Sequence, residues 1–160
     1  MILMTSLTKK IALLGIITAA NVVIARTFLI PIPFTHGNIN LCDAGIVLAA
    51  LLFGSRAGGV VGALSGLLLD LISGYPQYMF FSLLAHGTEG YIIGQLGQKR
   101  QWLGLLAGTL VMVTVYFRAD SFLYTVPTGL VGIPLNLLQG VIGVSVGYLL
   151  VVGLNKRLAF

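Results

Sequence analysis

Six apolar runs, separated by short breaks of polar residues, glycine or proline, take up nearly the whole of this chain. They fall at about residues 11–26, 41–53, 59–73, 77–97, 102–117 and 134–154. A helix that crosses the hydrocarbon core of a bilayer needs about 20 residues, with a range of roughly 17–25. Runs of this length and spacing point to spanning helices, and the scarcity of charge agrees. Only 8% of the residues are charged and 58% are hydrophobic, where a soluble domain carries about 25% charged residues. The expectation is an all-α integral membrane protein: a bundle of six transmembrane helices in a single domain over residues 1–160. Six such spans leave no length for a soluble catalytic or nucleotide-binding domain.

The breaks have their own character. Residues 54–58 read as a tight turn, Gly74-Tyr75-Pro76 ends the third run, and Gln98-Lys99-Arg100-Gln101 is a polar turn. Two longer irregular segments are expected. Residues 27–40 hold Pro31, Pro33, His36, Gly37, Asn38 and Asn40, and residues 118–132 hold Pro127 and Gly129. Pro134 is tolerable in the first turn of the sixth helix. The second run is short for a span, which suggests a tilted or partly re-entrant path. The first run follows Lys9 and Lys10 as a signal peptide would, with small residues at Ala19, Ala20 and Ala25. Apolar sequence continues to Phe34, however, so the segment is expected to stay as a first helix.

Charge placement suggests an orientation. With the N-terminus in the cytoplasm, Lys9, Lys10, Arg56, Lys99, Arg100, Lys156 and Arg157 fall inside, and only Arg26 and Arg118 fall outside. Cytoplasmic loops carry the excess of Lys and Arg, so both termini are expected in the cytoplasm. The two long loops then share the outer face. The net charge of +5 is a topology signal in this pattern, since the basic residues sit in short clusters between apolar runs.

Gly58, Gly62 and Gly66 recur every four residues, as do the pairs Gly90 and Gly94, Gly104 and Gly108, and Gly143 and Gly147. Small residues at this spacing let helix backbones approach closely. The chain has one cysteine, which excludes a disulfide framework and a cysteine-based metal site. Cys42 reads as a small packing residue. No phosphate-binding G-x-x-x-x-G-K-[ST] sequence occurs, so the chain itself is not expected to hydrolyse ATP through such a loop.

Ionisable groups at membrane depth are costly and point to function. Asp43, Asp70, His86 and Glu89 are the informative ones. Ser82, His86 and Glu89 follow helical spacing on one face of the fourth helix. They are either a hydrogen-bonded structural set or part of a binding site. His-x-x-Glu without a second nearby histidine is a weak zinc-enzyme signal, and no metal site is expected. Asp43 opens the second helix, as a first-turn acid favoured by the helix dipole or as a ligand contact. Asp70, near the outer end of the third helix, reads mainly as an interface residue or a partner of Arg26 or Arg118. Asn136 and Gln139 are candidate hydrogen-bonding groups near the start of the sixth helix. Tyr75, Tyr78, Tyr116 and Tyr124 read first as an interfacial aromatic belt, with a stacking wall for a flat ring as the alternative. The candidate substrate-binding set is Asn38, Asn40, Asp43, Tyr78, Ser82, His86, Glu89, Asn136 and Gln139, with no catalytic residue and no cofactor. One pocket with a few convergent polar groups in an apolar surround is the usual small-ligand site.

The stretch from Gly37 to Gly45, Gly-Asn-Ile-Asn-Leu-Cys-Asp-Ala-Gly, and the run Leu52-Phe53-Gly54-Ser55-Arg56-Ala57-Gly58 resemble the substrate-specificity (S) subunits of energy-coupling factor (ECF) vitamin transporters. Size and helix count fit the same family. The resemblance implies a vitamin or vitamin-precursor site in the outer half of the bundle, under the first loop. It also implies a transmembrane coupling (T) subunit and two cytoplasmic ATPase subunits as partners, and residence in a bacterial plasma membrane. Such subunits dock through small residues on the first helix, which here would be Ala12, Gly15, Ala19 and Ala20. Family ligands include riboflavin, thiamine, folate, biotin, pantothenate, pyridoxine-type rings and hydroxymethylpyrimidine. A carboxylate such as Glu89 or Asp43 can pair with an aminopyrimidine, which favours hydroxymethylpyrimidine, with pyridoxine or pantothenate next. Three other readings stand beside this one: a membrane enzyme using His86 and Glu89 as an acid–base pair, a self-sufficient secondary carrier, and a purely structural membrane subunit.

Overall fold

The computed structural model describes residues 7–31 and 37–158. The order of elements is α1 (Leu7–Thr27), β1 (Ile30–Pro31), β2 (Asn38–Ile39), α2 (Cys42–Phe53), α3 (Ser55–Ser73), α4 (Met79–Gly97), α5 (Gln101–Leu123) and α6 (Val126–Leu158). Six helices form, as the apolar runs predict. Among the described residues α1, α3, α5 and α6 are each long and apolar enough to cross a membrane. α2 has 12 residues, about 18 Å at 1.5 Å per residue, against a hydrocarbon core of about 30 Å. Nine of its residues are buried, so it is an inner helix sheathed by the others.

The first long loop contains a minimal antiparallel ribbon, with Ile30 opposite Ile39 and Pro31 opposite Asn38. Pro33 and His36 lie outside the described residues. Asn40 ends this segment with an Asx turn: its Oδ1 accepts from the Cys42 amide at 2.8 Å, which helps to open α2.

Two expected loops are helix instead. α3 begins at Ser55, so the turn expected at 54–58 shrinks to Gly54, whose φ of +90° suits glycine. The residues that looked like a turn are packing residues, because Ala57 and Gly58 are buried in α3. The loop expected at 118–132 shrinks to Tyr124 and Thr125, between the end of α5 and the start of α6. Pro127 is the second residue of α6, where its missing N–H has no intrahelical partner to lose. Gly129 lets α6 lie on α5, since a Cβ there would come 2.8 Å from the Phe117 carbonyl oxygen. Pro134, expected in a first turn, sits inside the 33-residue α6.

The glycine stripes lie at helix contacts. A Cβ on Gly58 would lie 2.5 Å from the Gly90 carbonyl oxygen, and one on Gly66 would lie 2.6 Å from that of Ser82. A Cβ on Gly62 would collide with the His86 carbonyl. The α3 backbone therefore rests directly on α4 beside the residues of the polar stripe. Gly143 and Gly147 bring α6 equally close to Asp43 and Ala44 of α2. At one end of the bundle Val47, Ala50, Leu51, Leu52, Ile93 and Val151 form an apolar core. α1 is fastened by Asn21, whose Nδ2 donates to the Cys42 carbonyl at 2.9 Å and to Ser65 Oγ at 3.1 Å. Its residues Ala12, Gly15, Ile16, Ala19 and Ala20 remain exposed.

Candidate functional site

A cavity opens between the ribbon segment and helices α3 to α6. Its lining includes Asn38, Asn40, Asp70, Tyr78, Ser82, His86, Tyr116, Asp120, Asn136 and Gln139, with Gly66, Leu69 and Gly132 filling the gaps. Nearly all of its polar groups come from four helices and one loop that are far apart in the chain. α4 supplies the spine. Ser82, His86 and Glu89 are all buried on one face, as their spacing predicts.

A continuous hydrogen-bonded chain crosses this site. Ser82 Oγ donates to Asp70 Oδ2. Ser82 Oγ also lies 2.7 Å from the Tyr116 hydroxyl, which lies 3.1 Å from His86 Nε2. On the other side of the imidazole, Nδ1 is 3.0 Å from Glu89 Oε2 and 3.2 Å from Asp43 Oδ1. The Tyr116 ring stands edge-on to the imidazole, 5.7 Å between centroids. Across the cavity, the Tyr78 hydroxyl donates to Asp120 Oδ1 at 2.6 Å. Gly132 leaves space for that carboxylate, since a Cβ there would sit 2.7 Å from Asp120 Oδ2. Gln139 Oε1 accepts from the Asn40 amide at 3.1 Å, and Asn38 Oδ1 accepts from Asn40 Nδ2 at 2.8 Å. These bonds pin the loop to α6 at the cavity edge.

The structure places the sequence candidates in two groups. Asn38, Asn40, Tyr78, Ser82, His86, Asn136 and Gln139 line the cavity. Asp43 and Glu89 are fully buried behind His86 and do not reach the lining. Asp70 is not an interface residue. It is buried and faces the cavity, with Ser82 rather than an arginine as its hydrogen-bond donor. Tyr78 and Tyr116 are not belt residues either, because both turn their hydroxyls into the site. Asp120 is the residue that sequence reasoning missed. Ending the fifth helix at 117 put it in a loop, whereas α5 continues to Leu123 and buries it. The signal that could have found it is charge scarcity: the chain has only four acidic residues, so each one inside an apolar stretch needs a reason.

Two carboxylates, one imidazole, several amides and three phenol or alcohol hydroxyls converge on this space, and among the described residues no lysine or arginine does. Such a wall accepts hydrogen bonds strongly and offers no cation to an anionic ligand.

Comparisons with known proteins agree with this architecture. The family model described as "ECF-type riboflavin transporter, S component" matches residues 5–156. A protein of Lactococcus lactis subsp. cremoris (strain MG1363), the thiamine precursor transporter HmpT, is 42% identical over 136 residues, covering 84% of this chain and 81% of its own length. An uncharacterized protein of Pyrococcus woesei is 38% identical over 135 residues, covering 81% of this chain and 90% of its own. A solved structure of the S component of a bacterial ECF transporter superposes with a TM-score of 0.77 at 26% identity, covering 96% of this chain and 99% of the other. The exposed apolar faces of a multi-pass membrane protein, the six-helix bundle and the matched family lead to one conclusion: this chain belongs to the family of S components of ECF-type transporters.

Proposed function

We propose that this S component selects a small, donor-bearing heteroaromatic ring of the hydroxymethylpyrimidine type, a thiamine precursor. It then delivers that ring inward together with a transmembrane coupling subunit and two cytoplasmic ATPases. The observation that carries the reading is the pair Asp70 and Asp120 on a cavity wall that, among the described residues, has no lysine or arginine. Each carboxylate takes a hydroxyl hydrogen bond from the protein and keeps lone pairs for a ligand. An aminopyrimidine presents an amino group and a protonatable ring nitrogen side by side, which suits a carboxylate in bidentate fashion. A hydroxymethyl group suits Asn136 or Gln139. Tyr116 and Tyr78 offer ring faces or edges to a flat ligand. The name of the Lactococcus relative supports the same substrate class. A carboxylate ligand such as pantothenate finds no partner cation here.

In this reading Asp43 and Glu89 set the orientation and charge of His86 rather than touching the ring. The face of α1 formed by Ala12, Gly15, Ala19 and Ala20 serves docking to the coupling subunit. All four are exposed, and a Cβ on Gly15 meets nothing within 4 Å. Both termini lie in the cytoplasm, so the cavity faces outward.

Equilibrium binding by the purified chain in detergent tests the proposal, with hydroxymethylpyrimidine, thiamine, pyridoxine, pantothenate and riboflavin as the panel. Hydroxymethylpyrimidine is expected to bind most tightly, and the Asp120→Asn and Asp70→Asn variants are expected to weaken it. Binding of pantothenate or riboflavin alone would sink the assignment.

A further inference from the structure

Behind the cavity, the His86–Asp43–Glu89 cluster is more than the proposed transport reading uses. Its hydrogen-bond directions can be worked out from the chain that leaves it. With Asp70 ionised, its carboxylate only accepts, so the single Ser82 proton goes to Asp70. Ser82 must then accept from the Tyr116 hydroxyl, which spends the single tyrosine proton. Tyr116 can meet His86 only as an acceptor, so Nε2 of His86 carries hydrogen. Nδ1 is then the ring position that faces both carboxylates, and a metal ion held there would take the place of the proton that Nδ1 otherwise shares with them.

Asp43 is the second observation. Its carboxylate is wholly buried: Oδ1 is met only by His86 Nδ1 at 3.2 Å, and among the described residues neither its Oδ2 nor Glu89 Oε1 has a hydrogen-bond donor. Buried charges of this kind are paired or coordinate metals. One atom each of Asp43, His86 and Glu89 lie within 4.8 Å of one another. The two Nδ1···O separations, 3.0 and 3.2 Å, approach the edge of a four-coordinate shell, about 3.3 Å between donors when the metal bonds are 2.0–2.1 Å. A ligating histidine normally donates its other ring N–H to a partner that fixes the tautomer, and Tyr116 stands in that place.

We propose that Asp43, Glu89 and Nδ1 of His86 bind one divalent first-row transition ion of the zinc class. The imidazole argues against Mg²⁺ and Ca²⁺, which prefer all-oxygen shells. The ion fastens the first turn of α2 to the middle of α4 and neutralises two carboxylates at membrane depth. It also holds His86 in the orientation from which the chain to Asp70 starts. The cation-free donor set was invisible in the sequence because Asp43 and His86 are 43 residues apart.

The test uses the full chain, purified in detergent without a metal-affinity tag, incubated with Zn²⁺ and passed over a desalting column. Elemental analysis is expected to give about one ion per chain. The Asp70→Asn and Asp120→Asn variants should keep it, and Asp43→Asn and Glu89→Gln should lose it. Because the last two variants could fail to fold, X-ray absorption on the wild-type chain supplies a second reading. Nitrogen and oxygen donors with no sulfur are expected at the zinc. A wild-type chain that retains no metal would overturn the proposal and leave a shared proton as the occupant. So would a sulfur donor, which would implicate Cys42, or full retention by folded Asp43→Asn and Glu89→Gln chains. None of these readings depends on which ring the cavity binds.

Discussion

Two pairs of carboxylates lie in this small bundle in contrasting surroundings. Asp70 and Asp120 stand on the cavity wall, and each accepts a hydrogen bond from a hydroxyl, of Ser82 on α4 and of Tyr78 just before it. Asp43 and Glu89 stand behind the wall, fully buried, and share one imidazole nitrogen, while Asp43 Oδ2 and Glu89 Oε1 have no donor among the described residues. The difference separates two jobs that burial alone would confuse. A carboxylate that is partly satisfied and open to a cavity can bind something that comes and goes. Carboxylates buried this completely are stable only beside a positive charge. The wall is suited to recognition, and the layer behind it is suited to holding the wall in place.

The largest effect should follow from removing the charge that the rear pair shares. His86→Ala leaves two buried carboxylates facing each other, and breaking a buried charge pair in this way costs about 3–5 kcal/mol. Folded yield and melting temperature in detergent should fall further than for any wall substitution. An unchanged melting temperature would break the contrast drawn above.

Next comes the wall. Asp120→Asn keeps the shape and removes the charge, and a hydrogen bond to a charged group is worth about 1.5–3 kcal/mol. Affinity for hydroxymethylpyrimidine should therefore fall roughly 10- to 100-fold, with little loss of folded protein. Should stability fall instead while affinity holds, Asp120 would belong with the rear pair. Gly62→Ala tests how both groups are positioned, since the new methyl would press on the His86 carbonyl. Overpacking of this sort costs about 1–3 kcal/mol, to be read as a lower melting temperature. The smallest effect on the fold is expected at Gly15→Leu, where a side chain meets open space and stability should change by no more than about 0.5 kcal/mol. Co-purification with the coupling subunit should nevertheless be lost. Intact assembly would move the docking face off this part of α1.

Much of the architecture was legible in advance. Spans could be counted because a bilayer demands uninterrupted apolar helices, and that demand is written locally. The glycine repeats announced close helix contacts for the same reason: a spacing of four residues is a property of one helix. The Ser82, His86 and Glu89 stripe was legible too, since all three share α4. The misreadings came where a local signal competes with packing. Pro127 and Gly129 look like loop residues, yet they begin α6, because the first turn of a helix tolerates proline and a close contact with α5 favours glycine. Misplacing that boundary hid Asp120. Tyr78 and Tyr116 looked like belt residues because composition does not say which way a ring points.

The sequence by itself determined that this chain lives in a membrane as six helices, and which helix carries the polar stripe. Hydrophobic length and helical periodicity are properties of contiguous residues. The tertiary structure decided which acids meet the cavity and which meet the histidine. Asp43 on α2, Asp70 on α3, Glu89 on α4 and Asp120 on α5 come together only when helices separated by turns pack side by side. No pattern within one helix encodes the partner across the interface.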